Sequence, residues 1–415
     1  MTDRRRDEHA PGEEIPDGMR IVPQDPAFRE NPHPILRELR EKCPVHRDRA
    51  FDRVILSRYA DAESILRDRG YGVDPRKTRE GDPSRRFIPP DGVQPSMLFL
   101  DDPDHQRLRN LVSRAFTPRR VEEWRPVVQN VVKDLLDAVD ASGESEFDLV
   151  EALAAPLPAI AIARILGVDP AQQRDFKRWS EESNVAFFNP FASEEEQQAG
   201  MEALLALREC FEREIAGRRT TPSDDLIGRM VAAEEDGDRL SEEELITMCN
   251  LLLIAGNVTT SDLIGNGMRV LLQHPDQMEK LRSEPSLLAN GVEELLRFDP
   301  PVTVTGRVAF EDDEVDGVEI GGGESVTILL SSANRDPAVN EDPDRFDVER
   351  TNIHHLSFGG GAHLCLGAHL ARLEAQEAMG ALLSRYPRLR RADAPEVWKE
   401  VPSFRGLSEF RVRVD

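Results

Sequence analysis

The chain has 415 residues, 53 of them basic and 78 acidic, for a formal net charge of −25. Hydrophobic residues at 39%, charged residues at 32% and aromatics at 6% suit a globular protein with ample length for a large core, and exclude collagen-like, low-complexity and wholly disordered chains. The acidic balance argues against a nucleic-acid binder, because no global positive field would attract a phosphate backbone.

No stretch reaches the roughly 20 apolar residues of a membrane span. The longest weakly polar run, Ala152 to Ala163, is interrupted by Pro156 and Pro158. The N-terminal MTDRRRDEHAPGEE lacks an apolar h-region, so neither a secretory nor a twin-arginine export signal is expected. Cys43, Cys210, Cys249 and Cys365 form no C-x-x-C pair. The expectation is a reducing cytoplasm, with no disulfide framework and no zinc ribbon.

In chain order, residues 1–18 read as a disordered tail and 19–415 as a single domain. Apolar residues recur at helical spacing from Pro34 to Arg40 and from Ala60 to Asp68. A polar stretch dense in Arg, Asp, Gly and Pro then runs to Leu98 and reads as a functional loop or lid. Helical patterns dominate from His105 to about residue 290, broken at Thr117-Pro118, Ser142-Gly143, Gly167-Val168-Asp169-Pro170 and Asn189-Pro190. The longest helix starts at the capping box Ser241-x-x-Glu244 and stops at His274-Pro275, about 32 residues or roughly 48 Å. Its midpoint, Ala255-Gly256-Asn257-Val258-Thr259-Thr260, is a poor helix sequence, and such local violations mark functional sites. From Val302 to Leu330 the period becomes two, with a turn at Asp316-Gly317, which predicts a small antiparallel β region. Helical spacing returns after Cys365 to about Leu383, and the last residues read as short strands. Periodicity alone therefore gives a large α-rich fold with a β insert.

The chemistry centres on Phe358-Gly359-Gly360-Gly361-Ala362-His363-Leu364-Cys365-Leu366-Gly367. Three consecutive glycines forbid a regular element and let backbone approach something closely. The run delivers Cys365 to the start of a helix, where the dipole and free N–H groups favour thiolate. Such a thiolate is a nucleophile or a soft metal ligand; the bland alternative is an inert buried cysteine. His354, His355, His363 and His369 crowd the cysteine and leave a zinc site open, as well as a thiol enzyme using a nearby His.

Phe358, Gly361, Cys365 and Gly367 stand in the register of the cytochrome P450 cysteine loop, and the chain resembles that family of heme-thiolate monooxygenases from roughly residue 20 to 415. Glu294-x-x-Arg297, Ala255-Gly256-x-x-Thr259-Thr260 and His105-x-x-x-Arg109 match further family motifs in order. The resemblance implies a mainly α fold with a small β region, one triangular domain holding heme b between the long helix and the cysteine-loop helix. It makes Cys365 the iron ligand, favouring O–O cleavage by electron donation. His105, Arg109, Arg307 and His363 would meet the propionates, with Phe358, Gly361 and Gly367 also binding the cofactor. Glu294, Arg297 and, as third member, Arg345 would form a buried structural network. Gly256 and Thr259 become catalytic, Thr259 hydrogen-bonding the activated oxygen and ordering a proton-carrying water.

The implied reaction takes O2, two electrons and two protons, inserts one oxygen atom into an apolar small molecule by hydroxylation or epoxidation, and releases water. The expected pocket comprises Leu98, Phe187, Phe188, Phe191, Ala255, Val258, Val302, Val304 and Phe404. One departure stands out: the family's usual acid before the threonine is Val258 here. Asp262, one turn on, is the candidate substitute, with Asn257 and Thr260 as further proton carriers. With the chain used up by the resemblance, electrons are expected from a separate ferredoxin and its reductase, and ultimately NAD(P)H. Arg107, Arg114, Arg119, Arg120 and Arg372 are candidates for the docking patch. Nucleic-acid and membrane partners are not expected. The alternatives are a peroxygenase, a heme-thiolate isomerase or dehydratase, and a non-enzymatic heme sensor.

Overall fold

Serine and glutamate close the start of the longest helix reciprocally. The Ser241 N–H donates to Glu244 Oε2 at 2.8 Å, and the Glu244 N–H donates to Ser241 Oγ at 3.2 Å. The helix then runs unbroken through Glu242–Gln273 and ends at His274, as the spacing predicts. This computed structural model describes residues 18–415 apart from 23, 91, 170–171, 190–191, 236–237 and 402. All but the last residue of the expected tail, 1–18, lies outside them.

The helices Pro156–Leu166, Gln173–Phe188, Glu194–Thr220 and Ala368–Arg385 pack around the long helix, and Arg125–Ser142 packs on the outer face of the last. Their apolar stripes meet in one cluster, where Leu253, Ile264, Met268 and Leu271 are buried with Leu153, Phe176, Phe211 and Met379. Full burial of such side chains is worth roughly 1.5–3 kcal/mol each before entropy is charged against it.

The β region is larger than expected. A five-stranded sheet is ordered Val45–Asp48, Arg53–Leu56, Ser325–Leu329, Val304–Ala309, Tyr71–Gly72. Ser325–Leu329 pairs in parallel with Arg53–Leu56 and antiparallel with Val304–Ala309. The hairpin from Val302 was legible in its alternation, whereas Val45-His46-Arg47-Asp48 has no such signature. That strand forms because the next strand, Arg53–Leu56, pairs with it antiparallel and is itself held in place by the distant Ser325–Leu329. The polar stretch after Arg67 is ordered by its own caps: Asp74, Asp82 and Ser96 accept backbone N–H bonds at the starts of the short turns Pro75–Lys77, Pro83–Phe87 and Met97–Phe99. No helix among the described residues is long and apolar enough to cross a membrane.

Candidate active site

A cavity of about 540 Å³ opens between the middle of the long helix and the cysteine loop. Its wall includes Ala255, Gly256, Thr259 and Thr260 from the helix, and Phe358, His363, Cys365 and Gly367 from the loop and the following helix. The loop is fixed by the Cys365 N–H donating to Phe358 O at 2.9 Å and the Gly359 N–H donating to Leu356 O at 2.7 Å. Gly361 holds φ +65°, and a Cβ there would collide with the Leu66 carbonyl oxygen. Gly361 is absent from the cavity wall, which corrects its expected cofactor contact: it lets the loop press against the helix Tyr59–Arg67.

Cys365 lies deep within the protein, yet its surface opens onto the cavity. Burial pushes its thiol pKa up, against the opposing pull of the Gly367 N–H, Arg109 and Arg372.

Beside the sulfur stand two arginines without an ion pair among the described residues, together with two histidines. Arg307 is buried and donates only to Gly306 O, at 2.7 Å, and burial lowers its pKa to about 10. Arg109 donates to Leu364 O at 2.6 Å, with its pKa also lowered by burial. The rings of His105 and His363 lie 3.9 Å apart, and burial, with His105, Arg307 and Arg109 nearby, drives His363 down to about 3. The His105 Nδ1 sits 3.4 Å from Asp102 Oδ1 but without hydrogen-bond alignment. All four side chains line the cavity.

On the long helix, the Thr259 hydroxyl donates to Ala255 O at 2.8 Å and faces the cavity, while Gly256 leaves its side of the helix open. Three expectations are corrected here. Val258 does not line the cavity. Asp262 is buried on another face, where Lys399 donates to it at 2.6 Å, and burial raises its pKa to about 6. It cannot replace the missing acid. Asn257 also points elsewhere, donating to Ser180 Oγ at 2.8 Å.

The acid that reaches the cavity is Glu374, on the cysteine helix, which sequence reading missed. It is buried with no cation beside it among the described residues; Thr260 is its side-chain hydrogen-bond partner, and burial raises its pKa to about 8. A charged residue on the apolar face of Ala368–Arg385 was the available signal. Because the folded pKa exceeds the unfolded 4.5, the native state holds the extra proton between these values, and stability falls as pH rises through that window. The slope is at most about 1.4 kcal/mol per pH unit. Glu374→Gln is expected to flatten it, which denaturant unfolding at several pH values between about 5 and 8 would measure.

Behind the loop, Arg297 Nε and Nη2 donate to both oxygens of Glu294 at 2.7 and 2.8 Å, and both side chains are 0% exposed. Their third partner is Arg350 rather than Arg345: the Arg350 Nε donates to Glu294 Oε1 at 3.1 Å. Arg345 contributes only its carbonyl oxygen, accepting from Arg297 and Arg350, while its side chain is 62% exposed beside Asp347. Arg297 also donates to Pro343 O at 2.8 Å, tying down the segment that leads to the cysteine.

Of the expected pocket residues, Leu98, Ala255, Val302, Val304 and Phe404 line the cavity. An isolated bridge between Val302 and Phe404 brings the C-terminal turn to it. Phe187 and Phe188 end the helix Gln173–Phe188, with side chains outside the described set, as is Phe191. The polar loop adds Val73, Phe87, Met97 and Phe99, which sequence reading had not singled out. Among the described residues no group of three His, Cys, Asp or Glu is arranged to hold a metal ion. His355 pairs with Glu293 instead, at 3.1 Å.

The residues present fit a heme. A cysteine faces a largely apolar space, and buried Arg307 and half-buried Arg109, neither with an ion pair among the described residues, border that space as two propionates require. Comparison with known proteins agrees. Residues 26–393 match the Cytochrome P450 family. The chain is 42% identical over 414 residues to Cytochrome P450 107B1 of Saccharopolyspora erythraea, covering 96% of this chain and 98% of that one. It is 40% identical to the 6-deoxyerythronolide B hydroxylase of the same organism, over 91% of this chain and 95% of the other. The solved structure of the bacillaene polyketide synthase cytochrome P450 PksS from Bacillus subtilis superposes with a TM-score of 0.85 at 37% identity, covering 94% of this chain and 98% of that one. With cysteine loop, cation set and long helix converging on one cavity, the chain belongs to the cytochrome P450 family of heme-containing monooxygenases, oxidoreductases that incorporate oxygen from O2.

Proposed function

We propose that this protein is a ferredoxin-dependent cytosolic monooxygenase that hydroxylates or epoxidises an apolar small molecule. The observation that carries the reading is the single cavity in which Cys365 faces Gly256 and Thr259 across a largely apolar space. Heme, when bound there, supplies O2 activation and oxygen insertion. Cys365 holds the iron, and His105, Arg109, Arg307 and His363 hold the propionates. Phe87, Met97, Leu98, Val302 and Phe404 exclude water and orient the substrate by burial of its apolar surface. The Thr259 hydroxyl positions a water on the substrate side. In place of the missing acid at Val258, Glu374 holds a proton beside the Thr260 hydroxyl, its pKa raised by burial to about 8.

The expected docking patch is weaker than its five arginines suggest. Arg107 pairs with Asp238 and Glu244, Arg120 with Glu123, and Arg372 with Glu293. Arg114 and Arg119 are exposed at the end of the helix Asp104–Ser113 and on the helix Pro118–Glu123, which packs against the cysteine helix. Their exposure beside the cysteine helix, not a lack of partners, makes them the positions at which the donor proposal is tested.

The deciding experiment compares product formation from a candidate apolar substrate with isotopically labelled O2 plus ferredoxin, reductase and NAD(P)H against hydrogen peroxide alone. Label in the product from the donor system is expected; product from peroxide only would replace this reading by a peroxygenase. The double variant Arg114→Glu/Arg119→Glu is expected to lower donor-supported turnover about tenfold at low salt and to leave peroxide-driven turnover unchanged. Equal turnover by both proteins with the donor would remove these arginines from the interface.

A further inference from the structure

Resting on the monooxygenase reading, we infer that the substrate is an apolar molecule ending in a carboxylate, and that Arg86 binds that carboxylate at the mouth of the cavity.

Three arginines line the cavity: Arg86, Arg109 and Arg307. Two belong to the cation set beside the cysteine, where His363 feels His105, Arg307 and Arg109. Arg86 stands apart from that set. Burial lowers its pKa, and among the described residues neither the propionate-facing cations nor a carboxylate pairs with it or shifts it. It has no ion pair or hydrogen bond among the described residues, and it lies over the Phe87 ring, whose centroid is 4.6 Å from the guanidinium carbon. The hydroxyls around it are already engaged. Ser84 and Ser325 donate to Asp82, and Thr78 donates to Pro75 O at 2.7 Å.

The side chain is also placed with some rigidity. Phe87 stacks on Phe99, with ring centroids 4.8 Å apart and planes at 14°, and both rings line the cavity. The turn that carries them, Pro83–Phe87, is capped by the Asp82 carboxylate. Arg86 is exposed while its aromatic neighbours form the wall, which puts the cation where the apolar space meets water. A guanidinium half-withdrawn from water with no partner favours any anion that can give it a bidentate pair. A carboxylate on an apolar body satisfies both surfaces: head on Arg86, body against Phe87, Phe99 and Leu98. An apolar pocket would otherwise have no means of fixing which end of its substrate enters first.

The test uses the full-length heme-loaded protein and calorimetric titration with dodecanoic acid, methyl dodecanoate and dodecyl phosphate. The expected result is at least about tenfold tighter binding of the acid than of its ester, with the preference falling as salt is raised. Arg86→Gln is expected to bring acid and ester within about twofold, while Arg86→Lys keeps part of the preference, which separates charge recognition from misfolding. Equal binding of acid and ester by the parent protein, or an unchanged preference in Arg86→Gln, overturns the inference. Tighter binding of the phosphate than the acid overturns the carboxylate assignment. The ferrous carbon monoxide spectrum of the same preparations reports separately on heme-thiolate chemistry. A thiolate band with no acid preference sinks the Arg86 assignment alone, and loss of the band sinks the monooxygenase reading whatever the binding ratio.

Discussion

Replacing Cys365 by histidine is expected to leave a folded, heme-binding protein whose reduced carbon monoxide complex absorbs at the position of histidine-ligated heme. The parent protein should show the strongly red-shifted Soret band of thiolate ligation. Donor-supported oxygen insertion should fall by at least about a hundredfold, because electron donation from sulfur is the part of the chemistry imidazole does not reproduce. The reasoning rests on placement. Cys365 opens onto the cavity opposite Thr259, and burial raises its pKa in the absence of a cation. A bound ferric iron reverses that balance by stabilising the anion directly. A thiolate-type band in the histidine variant would show that Cys365 is not the ligand. The two arginines would then need another explanation, since Arg307 is buried with no ion pair among the described residues, at a cost that an anion in the cavity offsets.

The second large effect concerns stability. Arg297→Met removes the partner of a carboxylate that is 0% exposed and bonded on both oxygens. Leaving that charge buried is expected to cost about 3–5 kcal/mol, and Glu294→Gln should cost a comparable amount. In the double variant the losses should fall well short of their sum, because each single change strands the other group. Denaturant unfolding followed by far-ultraviolet circular dichroism gives the values, and the Soret band reports whether heme is lost in step. The same experiment separates Arg350 from Arg345. Arg350 is 11% exposed and donates to Glu294 Oε1, Glu341 O and Arg345 O, so Arg350→Ala should destabilise clearly. Arg345 acts through its carbonyl, which alanine keeps, so Arg345→Ala should be within about 0.5 kcal/mol of the parent. The reverse order would undo the assignment of the network.

The two networks share a design that bears on function. Arg297 reaches the carbonyls of Pro343 and Arg345, and Asn334 donates to Ser357 Oγ at 2.8 Å while its Oδ1 accepts from the Leu356 N–H at 2.7 Å. Both hold the polypeptide that precedes Phe358. The cysteine loop itself contains three glycines and has little local preference to keep its shape. Its geometry is therefore imposed from outside by buried, fully bonded groups, so sulfur position and global stability are coupled.

What the sequence alone determined were the features written in local pattern. The long helix carries its own start and stop in Ser241, Glu244, His274 and Pro275, and it runs where they place it. The cysteine loop, the alternation after Val302 and the pairing of Glu294 with Arg297 three residues apart are likewise local, whereas the placing of His105, Arg109, Thr259 and His363 at the cavity followed from the family resemblance. Only the tertiary structure decided the rest. A buried network's third member depends on which loop folds over it, so Arg350 took the place expected of Arg345 although both lie in the same stretch. Asp262 and Glu374 are both acids on apolar helices, and nothing in their spacing says which turns toward the cavity. Packing against Lys399 claimed the first, and the opposing cysteine helix delivered the second beside Thr260. The strand Arg53–Leu56, paired in parallel with Ser325–Leu329, and the guanidinium of Arg86, without an ion pair among the described residues, have the same origin: what surrounds a residue is set by chain segments far away in sequence.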